Sequence, residues 1–174
     1  LDVRRNALAS LSLVLGRADV ASMPAATQNA LVDALIQATQ DSELPIRQLG
    51  AYALGLIPSE SSRQQLELLV ESTSEDATVR ANAAVGLARS HSRKGLPFFQ
   101  SVLKDAGAAT AGDSRQYADL VTLRNTIKAL ELLKAELSDE ERAELSATLT
   151  QLAANYPDDR IRLDAQEAVQ ALKR

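Results

Sequence analysis

A short phrase returns five times along this chain: a branched or long aliphatic residue, then arginine, then small and apolar residues at helical spacing. The five are Val3-Arg4, Ile46-Arg47, Val79-Arg80, Leu123-Arg124 and Ile161-Arg162. Their arginines stand 43, 33, 44 and 38 residues apart, from 4 to 47, 47 to 80, 80 to 124 and 124 to 162. A helical unit recurring every ~40 residues constrains the fold strongly, because one unit cannot bury its apolar face alone and must stack on its neighbours. The spacing predicts an all-α chain: an α-solenoid of antiparallel helix pairs with right-handed superhelical stacking.

The residues ahead of the phrase agree. An Asp stands three positions before the aliphatic in Asp76-Ala77-Thr78-Val79 and Asp158-Asp159-Arg160-Ile161, and a Glu in Glu43-Leu44-Pro45-Ile46. An acid at a helix start accepts bonds from free backbone N–H groups and complements the positive end of the dipole. Pro45 suits the first turn, where its missing N–H costs nothing.

Apolar residues make up 45% of the 174 and aromatic ones only 3%. The core must therefore come from Leu, Ala, Val and Ile, which suits helices packed closely through small residues and argues against an aromatic-rich sheet. The net charge of −4 exerts no pull on phosphate, so nucleic acid is not an expected partner. No apolar run approaches the ~18 residues of a bilayer span, so a membrane is not expected either. The chain has no cysteine, which excludes disulfides, Cys-ligated zinc and thiol catalysis. That absence favours a cytoplasmic protein, although exported bacterial proteins share it. Because Leu1 leads at once into a repeat phrase, the chain reads as one domain over 1–174 cut from a longer array. Its units are a half repeat at 1–16 and repeats at about 23–57, 59–91, 95–135 and 138–174.

Nine helices follow from the pattern: one orphan and four pairs. Met23-Pro24-Ala25 opens the second, and Asp41-Ser42-Glu43 the third. Ser61 with Gln64 reads as a capping box for the fourth, and Leu96-Pro97 starts the sixth. The stretch 105–114, with two glycines and no face to bury, reads as a long loop. A helix over 116–135 follows. Ser138 with Glu141 reads as a second capping box, and Asp158 starts the last helix.

The pattern Asp-x-x-Val/Ile-Arg-x-x-Ala-x-x-Ala/Gly-Leu resembles the HEAT repeat, and more closely the short bacterial HEAT-like variety related to phycobilin lyases. The match is strongest at 76–87 and 43–55, good at 158–169 and 2–11, and departs at Leu123-Arg124, where no acid precedes. The resemblance implies about four and a half repeats, with second helices lining a concave face. It also implies that the motif acids and arginines tie neighbouring repeats together. On that reading the arginines are structural rather than a basic binding ladder.

Residues one, two and five after each motif arginine would then face the groove. They include Arg5, Asn6, Gln48, Tyr52, Ala81, Asn82, Val85, Asn125, Asp164 and Glu167, with Arg89 one turn beyond Val85. Tyr52 stands out as an aromatic with a polar tip among polar groups. The expected function is a non-catalytic scaffold that binds a protein or peptide through this groove or through the 105–114 loop, without cofactor or metal. The resemblance also allows a chromophore-handling accessory like the phycobilin lyases. A structural spacer inside a larger protein is the third reading.

Chemistry is otherwise sparse. His91 is the sole histidine, and Ser90-His91-Ser92 at a helix end reads as a cationic terminus rather than a nucleophilic site. The acids Glu136, Asp139, Glu140, Glu141 and Glu144 read as a solvated helix start. Of the adjacent Phe98 and Phe99, one is expected in the core. The first helix carries Val3, Ala7, Leu8 and Leu11, so weak self-association through the N-terminal end is expected.

Overall fold

The computed structural model describes residues 2–108 and 117–173. Among these the chain is all-α, with nine α-helices and no strand. They gather into two compact units, Leu1–Ser90 and His91–Arg174.

Unit 1 holds α1 (Asp2–Leu15), α2 (Ala25–Thr39), α3 (Leu44–Leu54), α4 (Glu60–Glu71) and α5 (Ala77–Arg89). Turns of four or five residues fold α2 onto α3 and α4 onto α5, while α3 lies between α1 and α5. Unit 2 holds α6 (Leu96–Gly107), α7 (Tyr117–Leu133), α8 (Asp139–Asn155) and α9 (Asp159–Leu172). Here α8 folds onto α9, α7 lies beside α9, and α6 touches both α7 and α8.

The motif aliphatics anchor these packings. Ile46, Val79, Leu123 and Ile161 are all buried, with Leu35, Leu54 and Leu87 beside them in unit 1 and Ile127, Leu130 and Leu149 in unit 2. Val3 differs: it is 83% exposed, because α1 turns Ser12 and Leu15 inward and leaves Val3, Leu13 and Val14 in solvent. Leu8 and Leu11 are half-buried. Phe99 is the core member of the Phe pair, and half-buried Phe98 meets its ring edge-on at 6.4 Å.

Small residues set how close the helices come. Ala51, Ala83, Ala84 and Ala88 are fully buried. Gly55, just past α3, and Gly86 in α5 meet so closely that a Cβ on Gly55 would lie 2.6 Å from the Gly86 Cα. A Cβ on Gly50 would lie 2.9 Å from the Ala38 carbonyl carbon, which brings α2 against α3. A chain this poor in aromatics fills its core by such approach rather than with large side chains.

Caps fix where the helices start. Asp76 accepts from the N–H of Thr78 at 2.9 Å, and Asp158 from those of Arg160 and Ile161 at 2.9 and 3.0 Å. Ser138 and Glu141 form the expected capping box, at 2.8 and 3.2 Å. The N–H of Ser138 and, next, burial and the Arg93 charge act on the Glu141 carboxyl, and the net effect holds it below its ordinary value. For α4 the cap is Ser59 and not Ser61: its hydroxyl accepts from the Ser62 N–H at 3.0 Å, and the helix begins two residues early. Two Ser–x–x–polar patterns overlap there, and the residue with extended backbone takes the role.

The expected 105–114 loop starts later than its composition suggests. Helix α6 runs on through Asp105 to Gly107 because Ala106 has a core position to fill. The rest of that loop, 109–114, and the expected start of the next helix at Gln116 lie outside the described residues. A 3-10 turn, Lys134–Glu136, ends the α7 hairpin, and another, Val20–Ser22, precedes α2.

His91, two residues beyond α5, has φ +57°. This left-handed conformation is where helices usually place glycine. It costs an L-residue ~1–2 kcal/mol, against ~0.4–1 kcal/mol of unfolded-state entropy that a glycine adds. His91→Gly is therefore expected to raise stability by about 0.5–1 kcal/mol, read as a higher urea midpoint at unchanged slope.

Candidate functional site

A solvent-facing row of the motif arginines would be a site by itself. Arg47 instead reaches the Glu75 carboxylate through Nη2 at 3.2 Å and Nε at 3.2–3.3 Å, and donates through Nη1 to the carbonyls of Asp41 and Ser42 at 3.0 and 3.1 Å. Arg4 pairs with Asp41. Arg80 donates to the Val70 carbonyl at 3.1 Å. Arg124 pairs with Asp164 at 2.6 Å. Arg162 repeats the Arg47 pattern, donating to the carbonyls six and five residues upstream, Tyr156 and Pro157. A guanidinium whose fork is filled by carbonyls and the acid of a neighbouring turn holds turns together and has little left for a ligand. Arg47→Ala strips the part-buried Glu75 and two turn carbonyls of their donors. It should cost about 1–3 kcal/mol in a thermal or urea melt.

The face beside these arginines is assembled from adjacent helices in unit 1. Gln48 and Tyr52 lie one turn apart on α3; Asn82, Val85 and Arg89 follow each other along α5. Two bonds lock the helices in register: Gln48 Nε2 donates to Asp76 Oδ1 at 3.2 Å, and Asn82 Nδ2 donates to the Gln48 carbonyl at 2.9 Å. One turn further on, Tyr52 is 36% exposed and the Arg89 guanidinium carbon stands 5.3 Å from its ring centre. Cations over tyrosine faces are held at such distances. Gln48, Tyr52, Asn82 and Arg89 are thus brought together. Ala81, expected on the same face, is buried instead. Arg5 and Asn6 are exposed on α1, where Arg5 pairs with Asp2 of its own helix.

In unit 2, Asn125 on α7 and Glu167 on α9 are exposed. Asp164 is not: it is 7% exposed and its carboxylate is turned to Arg124 across the α7–α9 contact. The second position after a motif arginine serves contact between helices at Asn82 and Asp164 but is exposed at Asn6, whereas the first is exposed at Arg5 and Asn125, bonded across helices at Gln48 and buried at Ala81. Leu163 occupies that first position on α9 and is 55% exposed, and Val121 and Leu132 share the Asn125 face of α7. Sequence reasoning passed over these three because apolar residues at helical spacing read as core. The register relative to Arg124 and Arg162 was the signal that separates them.

A cleft of about 200 Å³ opens beside the unit 1 face, between the turn after α3, the first turn of α4 and the end of α5. Leu56, Ile57, Pro58 and Leu66 give it apolar walls, and Arg89 lies on its edge with Arg63. Arg63 is held by Glu60 and Glu67. In unit 2 a wider hollow of about 470 Å³ lies between α6 and α8, with Gln100, Lys104, Glu144 and Thr148 among its polar walls.

The serines around His91 are engaged with backbone. Ser90 Oγ donates to the Leu87 carbonyl at 2.9 Å, and Ser92 Oγ accepts from the Lys94 N–H. His91 itself is exposed, with Nδ1 3.9 Å from Glu136. Among the acids of the α8 start, Glu141 is taken up by Ser138 and Arg93, and Asp139 by Arg142. No helix of the described residues is long and apolar enough to cross a membrane. Compared with protein-family models and with curated proteins, the chain matches none.

Proposed function

We propose that this chain is an α-solenoid of HEAT-like repeats that serves as a non-catalytic scaffold, binding a protein or peptide across the exposed faces of its second helices. The observation that carries the reading is the surface formed by Gln48, Tyr52, Asn82 and Arg89. It is a mixed polar and aromatic face, held in register by two hydrogen bonds, with a rigid ring at its centre. Rigid aromatics with adjacent polar donors are what protein recognition sites use to gain contact area at low entropic cost. The solenoid reading is supported by like helices lying side by side within each unit, α1–α3–α5 and α7–α9, and by arginines that pair with an acid of the following hairpin.

The test compares partner retention by the parent, Tyr52→Ala and Leu68→Ala, with melting curves for each. Leu68 is 65% exposed on α4, off the proposed face. A partner kept by the parent and Leu68→Ala but lost by folded Tyr52→Ala supports the reading; equal retention by all three overturns the face. A second contact is proposed on α1, where Val3, Leu13 and Val14 are exposed: weak self-association. Light scattering over a hundredfold dilution should show the mean mass falling towards that of one chain, and a constant single-chain mass overturns it.

A further inference from the structure

Arg89 sits in the last turn of α5, where a cation complements the negative end of the helix dipole. That explains the charge but not the setting. Motif arginines 4, 47 and 124 each have a carboxylate from another hairpin, and Arg63 across the cleft has two. Among the described residues no carboxylate pairs with Arg89, whose partner is the Tyr52 ring at 5.3 Å. A ring against a guanidinium restrains the side chain while leaving in-plane N–H donors free, and two parallel donors of a guanidinium match one carboxylate.

The cleft that Arg89 borders sets the size of what accompanies that carboxylate. Its volume of about 200 Å³ falls below the ~300–1,000 Å³ of sites that enclose a drug-sized ligand, so it suits an aliphatic side chain rather than a cofactor. Leu56, Pro58 and Leu66 supply apolar contact. Gly55 and Gly86 line the same cleft where the end of α3 meets α5.

We propose that this cleft captures the C-terminal residue of a partner protein: its aliphatic side chain enters between Leu56, Pro58 and Leu66, and its chain-end carboxylate pairs with Arg89. The chain end fits better than an internal acid. Successive side chains of an extended peptide point to opposite faces, so an Asp or Glu beside the inserted residue turns its carboxylate away. A terminal carboxylate is bonded to the Cα of the inserted residue itself and reaches the same cleft. The proposal deepens the scaffold reading and rests on it.

The probe is a pool of labelled hexapeptides, random at five positions and ending in Leu, made as free acid and as C-terminal amide. Fluorescence anisotropy would be read against the intact chain and against Arg89→Gln, which alters an exposed residue and whose fold is checked by circular dichroism. The acid pool should bind, the amide pool about tenfold or more weaker, and Arg89→Gln should bring the acid pool down to the level of the amide. Equal binding of acid and amide, an unchanged acid pool with Arg89→Gln, or no binding of the acid pool at millimolar protein overturns it. If the acid pool fails while a partner is still retained through Tyr52, the chain-end proposal falls and the scaffold reading stands. If neither binds, both fall.

Discussion

Phe99→Ala is expected to destabilise the chain by about 3–5 kcal/mol, among the largest effects available to a point change here. Phe99 is fully buried, and the other buried aromatic among the described residues, Tyr156, is held at the C-terminal end of α8, so the space is left to aliphatic neighbours. It sits on α6, which touches both α7 and α8, and the void would open where three helices meet. Small side chains around a cavity relax poorly, and the loss is the transfer term plus the cavity term. In a chain of this size each kcal/mol moves the midpoint by roughly 2–4 °C, so a drop near 10 °C is expected in a thermal melt. Phe98→Ala is the control: half-buried, it gives up less transfer energy and an edge-on ring contact worth about 0.5–1.5 kcal/mol. Equal losses for the two variants would mean that Phe99 is not the anchor of unit 2.

What the sequence made legible follows from what repeats. Val79 and Ile161 are buried and Asp76 and Asp158 are caps because each position recurs with the same chemistry, and recurrence separates a structural role from chance. The motif arginines are a partial case: Arg4, Arg47 and Arg124 pair with an acid of another hairpin, but with Asp41, Glu75 and Asp164 rather than with the motif acids Glu43, Asp76 and Asp158. Depth was harder to see. Helical spacing assigns a residue to a face but not to its neighbour, so Asp164 was placed in the open when α7 covers it, and Leu163 was left out when it is exposed. The candidate face in unit 1 was legible residue by residue, yet its chemistry depends on pairings no periodicity reports. Tyr52 and Arg89 are 37 positions apart and meet because α3 and α5 are neighbours. Helix α6 outran its expected end because burial of Ala106 outweighs the weak preferences of its flanking small residues.

That closeness of α3 and α5 rests on Gly86, and Gly86→Ala is the second large effect expected. Two terms oppose each other. Alanine is favoured over glycine inside a helix by roughly 1 kcal/mol. Against this, the new Cβ would stand 2.7 Å from the Gly55 Cα and 3.0 Å from Leu66 Cδ1, where carbon atoms rest at about 3.5–4.0 Å. Leu66 can turn its tip away, but Gly55 meets Gly86 with backbone, so the two helices must part. Overpacking commonly costs about 1–3 kcal/mol and reaches the upper end where backbone has to move, which leaves a net loss of about 2 kcal/mol. Gly107→Ala, with nothing within 4 Å of its added Cβ, tests the propensity term alone and should be neutral or stabilising. A cycle sharpens the reading: once the helices have parted for one methyl group, the second costs less. Gly55→Ala with Gly86→Ala should therefore lose less than the sum of the single losses. Parting α3 from α5 would also stretch the Asn82–Gln48 bond and draw Arg89 off the Tyr52 ring. If the glycine contact shapes the recognition face as well as the core, Gly86→Ala should weaken partner retention at temperatures where the variant is still fully folded; unchanged retention there would separate the face from the contact beneath it.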